Sequence, residues 1–158
     1  MSEIVLVLGL IVLFSIITNG IIINKKRNSI SLDKMGIEIG KRCPAQDLEY
    51  VNGKKIQLSE LTGNVIFVEE DCVTCQMLVK EIDASGRKDD NMTTVLVGER
   101  EHAIRFMQKY PLWDKVAFMN KEELDIKLNI SAFPFYMILN KGVVKKKGFA
   151  VAENFLED

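Results

Sequence analysis

Histidine occurs once in this chain, as His102, and proline only three times. A single histidine excludes multi-histidine metal centres. It also leaves a serine–histidine–acid hydrolase dependent on one candidate, and His102 lies in a helical stretch among charged neighbours, where it reads as a helix-face residue. Excess charge of either sign is missing too: 21 Lys+Arg stand against 22 Asp+Glu. That balance excludes a globally basic nucleic-acid binder, and no nucleic-acid partner is expected. Cysteine is scarce, with Cys43, Cys72 and Cys75 only. Three are too few for a disulfide scaffold, and an odd count leaves one outside any internal bridge. Repeats and low-complexity tracts are lacking. The chain has 158 residues, 47% of them apolar and 27% charged, which suits one folded domain with an appendage and argues against disorder.

Apolar residues are unevenly spread. Residues 4–23, IVLVLGLIVLFSIITNGIII, form an uncharged run of 20. At about 1.5 Å per residue a helix of that length spans roughly 30 Å, the hydrocarbon thickness of a bilayer. A cleaved secretory signal would have a basic start and a small-residue cleavage site. Here the start is Met-Ser-Glu, and no A-x-A-like site follows. The expected organisation is a short tail (1–3), one transmembrane anchor (4–23), a polar linker (24–35) and a soluble domain (36–158). The flank Lys25-Lys26-Arg27 favours a cytoplasmic domain by charge alone.

Along the soluble part, residues 49–58 read as a hairpin around Asn52-Gly53, a strong turn signal. Ser59 reads as the N-cap of a short turn over 60–62, ended by Gly63. Residues 65–68 (VIFV) and 93–97 (TTVLV) are short β-branched runs expected as buried strands. Helices are expected over 75–84, with Met77, Leu78, Val79 and Ile82 apolar, over 99–110, and over 121–128, with Leu124, Ile126 and Leu128. Residues 116–119 read as a strand. Residues 135–139 and 143–147 read as a hairpin around Asn140-Lys141-Gly142, closed by Gly148, before a short last helix over 152–156. Alternating strands and helices ending in a hairpin imply an α/β fold with a mixed sheet.

The residues that carry chemistry sit where the strand 65–68 gives way to a helix: Cys72-Val73-Thr74-Cys75. A helix N-terminus offers free N–H groups and partial positive charge, both of which stabilise a thiolate. The first cysteine lies nearest that end with its sulfur exposed, and the second is one turn on and more buried. Their spacing permits a disulfide with little backbone change. Cys72 could then attack a partner's disulfide and Cys75 resolve the mixed intermediate. Zinc would need about four ligands, and only Cys43 and His102 remain, without metal-like spacing. A peroxiredoxin frame fails, because its proline and threonine positions hold Val65 and Glu69 for Cys72, or Val68 and Cys72 for Cys75. A Cu(I) chaperone or a non-catalytic adaptor at the membrane is the alternative class, since two thiolates suit a soft ion. Met77, Met107 and Met137 fall within apolar runs and read as core. Pro134 opens the strand expected beside the dithiol, either as a cis-proline exposing backbone to a partner or as an ordinary trans proline at a strand entry. Trp113 reads as a loop aromatic packed on the core, and Lys145-Lys146-Lys147 as a solvated edge that discourages strand pairing.

In the stretches GIEIGKRCP (36–44), NGKKIQLSELTGNVIFV (52–68), CVTC (72–75) and NISAFPFYMILNKGVV (129–144), the chain resembles the membrane-anchored thioredoxin-like thiol–disulfide oxidoreductases of the TlpA/ResA kind, with a MauD-like flavour. The resemblance covers roughly residues 36–150. It implies a thioredoxin-like fold, a central mixed β-sheet flanked by helices with an N-terminal β-hairpin extension. Cys72 would be the attacking thiol, Cys75 the resolving thiol and Pro134 the cis-proline. It implies no cofactor, a protein substrate bearing thiols or a disulfide, and an upstream, membrane-bound redox partner. It also implies a cell-membrane location with the domain outside the cytoplasm, against the charge of the Lys25-Lys26-Arg27 flank. Tasks of such proteins include maturation of cytochromes or of a secreted or periplasmic protein. The chain departs from the pattern in three ways. The aromatic before the first cysteine is replaced by Asp71, so that Glu69-Glu70-Asp71 adjoin the attacking thiol and are expected to push it up by like charge. The proline near the cysteines is missing. Ile66 stands where a buried acid is usual, so proton transfer to Cys75 needs another group or water. Cys43 reads as a buried thiol.

Overall fold

In the computed structural model, residues 34–86, 91–111 and 113–152 are described. The expected anchor (4–23), nearly all of the linker and all but the first residue of the short last helix (152–156) lie outside them. Among the described residues no helix is long and apolar enough to cross a membrane.

The chain begins its sheet with a hairpin, β1 (Asp47–Tyr50) and β2 (Lys55–Gln57). Gly53 supplies the positive φ of +83° that its turn requires. Then come β3 (Gly63–Glu69), α1 (Val73–Ser85), β4 (Thr93–Val97), α2 (Arg100–Lys109), β5 (Val116–Met119), α3 (Lys121–Leu128), β6 (Phe135–Asn140) and β7 (Val143–Phe149). All seven strands form one sheet in the order β2-β1-β5-β4-β3-β6-β7. The inner strands β3, β4 and β5 run parallel, while β6 and β7 add antiparallel to β3's free side. Parallel neighbours need crossovers, and α1 and α2 supply them.

Side-chain alternation along β3 divides the core. Val65 and Phe67 pack in one apolar cluster with Leu48, Leu124 and Leu128, and Ile66 and Val68 in another with α1 and α2 side chains. A strand buried on both faces must be apolar at every position, which is why residues 65–68 carry no polar side chain. Within α3, Leu124 and Leu128, four apart, are buried, whereas Ile126 faces out. Trp113 is buried, with its ring edge-on to Phe106 at 5.7 Å between centroids.

Three local expectations are corrected. Ser59 is not a cap: it lies inside a 3₁₀ turn over Leu58–Glu60, whose N-cap Gln57 makes no side-chain bond. Gly148 does not close β7 but lies within it, opposite Tyr136. A Cβ there would sit 3.2 Å from the Tyr136 ring, so the missing side chain lets the strand run on. Finally, Lys147 is not part of a solvated edge. Its Nζ donates to the Met35 and Gly36 carbonyls at 2.8 and 3.3 Å, whereas Lys145 and Lys146 are exposed.

The segment before β1 is tied to the β6–β7 hairpin. Val143 bridges Arg42, and Cys43 N–H donates to Gly142 O at 2.8 Å. Lys141 and Gly142 both have positive φ (48° and 73°), the signature of a two-residue hairpin turn.

Candidate functional site

Helix α1 starts earlier than its apolar spacing suggests, at Val73, because Cys72 takes the N-cap position. Its backbone there is extended (φ −82°, ψ 112°), and its sulfur accepts from the Cys75 N–H at 3.2 Å. A cap normally uses an oxygen for this task; here a sulfur accepts from one of the orphan N–H groups of the first turn. Cys72 and Cys75 form a disulfide with their Cα atoms 5.2 Å apart. Cys72 is half-buried, while Cys75 is 1% exposed and packs against the α1–α2 core.

The segment before β6 runs beside this pair. Cys72 Sγ lies 3.7 Å from Phe133 O and 3.1 Å from Thr74 Oγ1. The Phe133–Pro134 peptide bond is cis. The structure thus brings together Cys72, Cys75 and Pro134. Pro134 also lines a groove of about 450 Å³ with Thr74, Met77, Phe133, Phe149 and Val151. Met77, expected in the core, is 64% exposed here. Its helical position points it out of the face that Leu78, Val79 and Ile82 bury.

The acidic cluster differs most from expectation. Glu69 is bonded by Lys121 Nζ at 2.7 Å. Glu70 is gripped through both oxygens by Arg105, at 3.0 Å (Nη2) and 3.4 Å (Nε). Two of the three carboxylates therefore carry their own cations, and among the described residues Asp71 has no such partner. His102 is more than a helix-face residue. Its Nδ1 accepts from the Glu99 N–H at 3.3 Å in a capping box at the start of α2. Its Nε2 lies 4.0 Å from Glu70 Oε2. Arg105 and Lys121 were not legible as site residues, since they meet the cluster from helices 35 and 52 residues further along the chain.

Cys43 takes no part in this arrangement. It is 3% exposed and lies in the cluster with Phe67, across the sheet from Cys75. Burial pushes its thiol up to about 11. Among the described residues no three His, Cys, Asp or Glu side chains converge as metal ligands would.

A dithiol at the start of a helix can cycle between thiols and disulfide by exchange with another disulfide, needing no bound group. The sheet order, the helices on both faces and this dithiol give the chain a thioredoxin-like α/β fold with a Cys-x-x-Cys pair at its strand–helix junction. No protein-family model and no curated protein matches the chain. Solved structures do. A thiol:disulfide interchange protein from Bacteroides sp. aligns with TM-score 0.59 and 16% identity, over 77% of this chain and 88% of that one. A thio-disulfide isomerase from Thermus thermophilus aligns with TM-score 0.57 and 15% identity, over 76% and 93%. A domain of a possible thiol-disulfide isomerase from Cytophaga hutchinsonii gives 0.59 and 18%, over 75% and 88%. At such identities the likeness is one of fold.

Proposed function

We propose that the protein is a membrane-anchored thiol–disulfide oxidoreductase. Cys72 attacks a disulfide in a protein substrate, Cys75 resolves the mixed intermediate, and Pro134 shapes the groove that receives the substrate chain. One observation carries this reading: the half-buried sulfur of Cys72 caps α1, is bonded to buried Cys75, and faces the backbone of Phe133 at 3.7 Å. An attacking sulfur, a resolving sulfur and a strip of substrate-facing backbone are what disulfide exchange needs. The fold shared with thiol:disulfide interchange proteins supports it. The uncharged run over residues 4–23 supports an anchor at the cell membrane. A dithiol with a dedicated partner is most useful where disulfides persist, so the domain is placed outside the cytoplasm, against the pull of Lys25-Lys26-Arg27. Maturation of a secreted or periplasmic protein, or of a cytochrome, is the matching task, with an upstream membrane-bound partner resetting the pair.

The test is trapping. Cys75→Ser in the full-length chain should accumulate a mixed disulfide with its substrate, and Cys72→Ser should abolish turnover. Full activity of Cys72→Ser would sink the assignment. Direction follows from the reduction potential of the pair: near or below about −250 mV it serves as a reductant, and near about −120 mV as an oxidant.

A further inference from the structure

The outer sulfur of the dithiol stands between two walls. One is the end of β3, where the Cys72 N–H donates to Glu69 O at 3.3 Å. The other is the segment before β6, where Phe133 O lies 3.7 Å from Cys72 Sγ. Both walls meet on a single side chain. Lys121 Nζ donates to Glu69 Oε1 at 2.7 Å and lies 5.8 Å from the centroid of the Phe133 ring, within the reach of a cation–π contact. Cys72, Glu69, Lys121 and Phe133 thus form a closed ring of contacts.

Lys121 is poorly placed for its own helix. It is the first residue of α3, followed by Glu122 and Glu123. A helix N-terminus favours anions and disfavours a cation. Its base is nevertheless firmly held. Asn120 Oδ1 accepts from the Glu122 N–H at 2.8 Å, and Leu124 and Leu128 are fully buried. What the ammonium gains, it gains outside the helix, on Glu69 and Phe133.

We propose that Lys121 is a positioning residue for disulfide exchange: one ammonium, held by Glu69, fixes the Phe133 backbone against the Cys72 sulfur. The inference rests on the exchange reading above. A substrate chain laid along Phe133 must present its own sulfur in line with Cys72 Sγ, and small errors of alignment slow such a step. Lys121 touches neither sulfur. It acts through the two residues that flank Cys72, one from each wall.

The test uses the full-length Cys75→Ser chain in mild detergent, which isolates the attack by Cys72. Two probes carry the same sulfur chemistry: N-acetylcysteine amide and a short uncharged peptide with a central cysteine, each capped on sulfur with thionitrobenzoate. The Cys72 thiolate attacks the probe's cysteine sulfur, a bond forms between the two, and coloured thionitrobenzoate leaves with the electron pair. The amide senses charge at Cys72 but has no chain to lie along Phe133. The ratio of peptide rate to amide rate therefore reads alignment, and a purely structural role for Lys121 would not move it. Lys121→Gln should lower the ratio by about twofold to fivefold, the worth of one exposed cation–π contact. Phe133→Leu should lower it at least as far, and adding Lys121→Gln to it should change nothing more, since both remove the same contact. Lys121→Arg, which keeps a cation for both partners, should leave the ratio as it was. An unchanged ratio in Lys121→Gln overturns the proposal, as does a further drop in the double variant or a Lys121→Arg ratio as low as that of Lys121→Gln. A peptide no faster than the amide, with Lys121 and Phe133 intact, would mean that no chain docks against Phe133; the positioning role then falls while the dithiol reading stands. Release from neither probe would sink exchange through Cys72 itself, and the positioning role with it.

Discussion

Arg105 holds Glu70 through two nitrogens, with Nη2 at 3.0 Å from Oε2 and Nε at 3.4 Å from Oε1. This grip settles what the acidic run beside the dithiol does. Three uncompensated carboxylates would disfavour a thiolate on Cys72, but Glu70 brings a guanidinium with it. Arg105→Ala should leave the carboxylate bare and slow iodoacetamide alkylation of reduced Cys72 near neutral pH. The effect should reach at most about fivefold, because exposed pairs of this kind are worth up to about 1 kcal/mol. Adding Glu70→Gln in the same chain should restore the rate, and salt should shrink the effect. An unchanged rate in Arg105→Ala would mean that the cluster's charge does not reach the sulfur.

Met77 stands 64% exposed on the groove that Pro134 lines. Little native packing depends on it, so Met77→Gln should alter unfolding free energy by no more than about 0.5 kcal/mol. A protein substrate that covers the groove would bury this side chain. Burying a methionine completely is worth about 1.5–3 kcal/mol, so losing part of that should raise KM for a protein disulfide by roughly threefold to tenfold. Oxidised glutathione, too small to cover the groove, should react at the original rate. Equal loss with both substrates would place the defect at the dithiol and not in docking.

Local chemistry was legible in the sequence, and long-range pairing was not. The β-branched runs at 65–68 and 93–97 became β3 and β4 because buried strands need apolar side chains on both faces. CVTC fell at the strand–helix junction because the helix begins where its N-cap sits. Periodicity alone could not orient a short helix. Met77 and Ile126 match apolar spacing as well as their neighbours do, yet both face solvent. Nor could spacing show that Arg105 and Lys121 would meet Glu70 and Glu69, or that Lys147 would reach back to Met35. Those contacts follow from how α2, α3 and β7 dock on the sheet.

Cys43 couples folding to alkaline pH. Burial lifts its thiol from 9.0 to about 11 in the folded chain, while unfolding releases it to its ordinary value. Between those values the unfolded chain has lost the proton and the folded chain still holds it. The stability due to the neutral buried thiol is thus fully present below 9.0 and is lost as pH rises through about 11. Two pH units correspond to about 2.7 kcal/mol. Urea unfolding of the oxidised protein, with Cys72 and Cys75 bridged and unable to titrate, should show this loss. Cys43→Ala should start from a lower baseline, having given up core volume, and should fall less steeply over the same range. Tyrosine and lysine titration adds a background common to both chains, so the difference between the two slopes isolates the thiol. Identical slopes would mean that Cys43 ionises as readily in the folded state as in the unfolded one, which a side chain 3% exposed among apolar neighbours should not do.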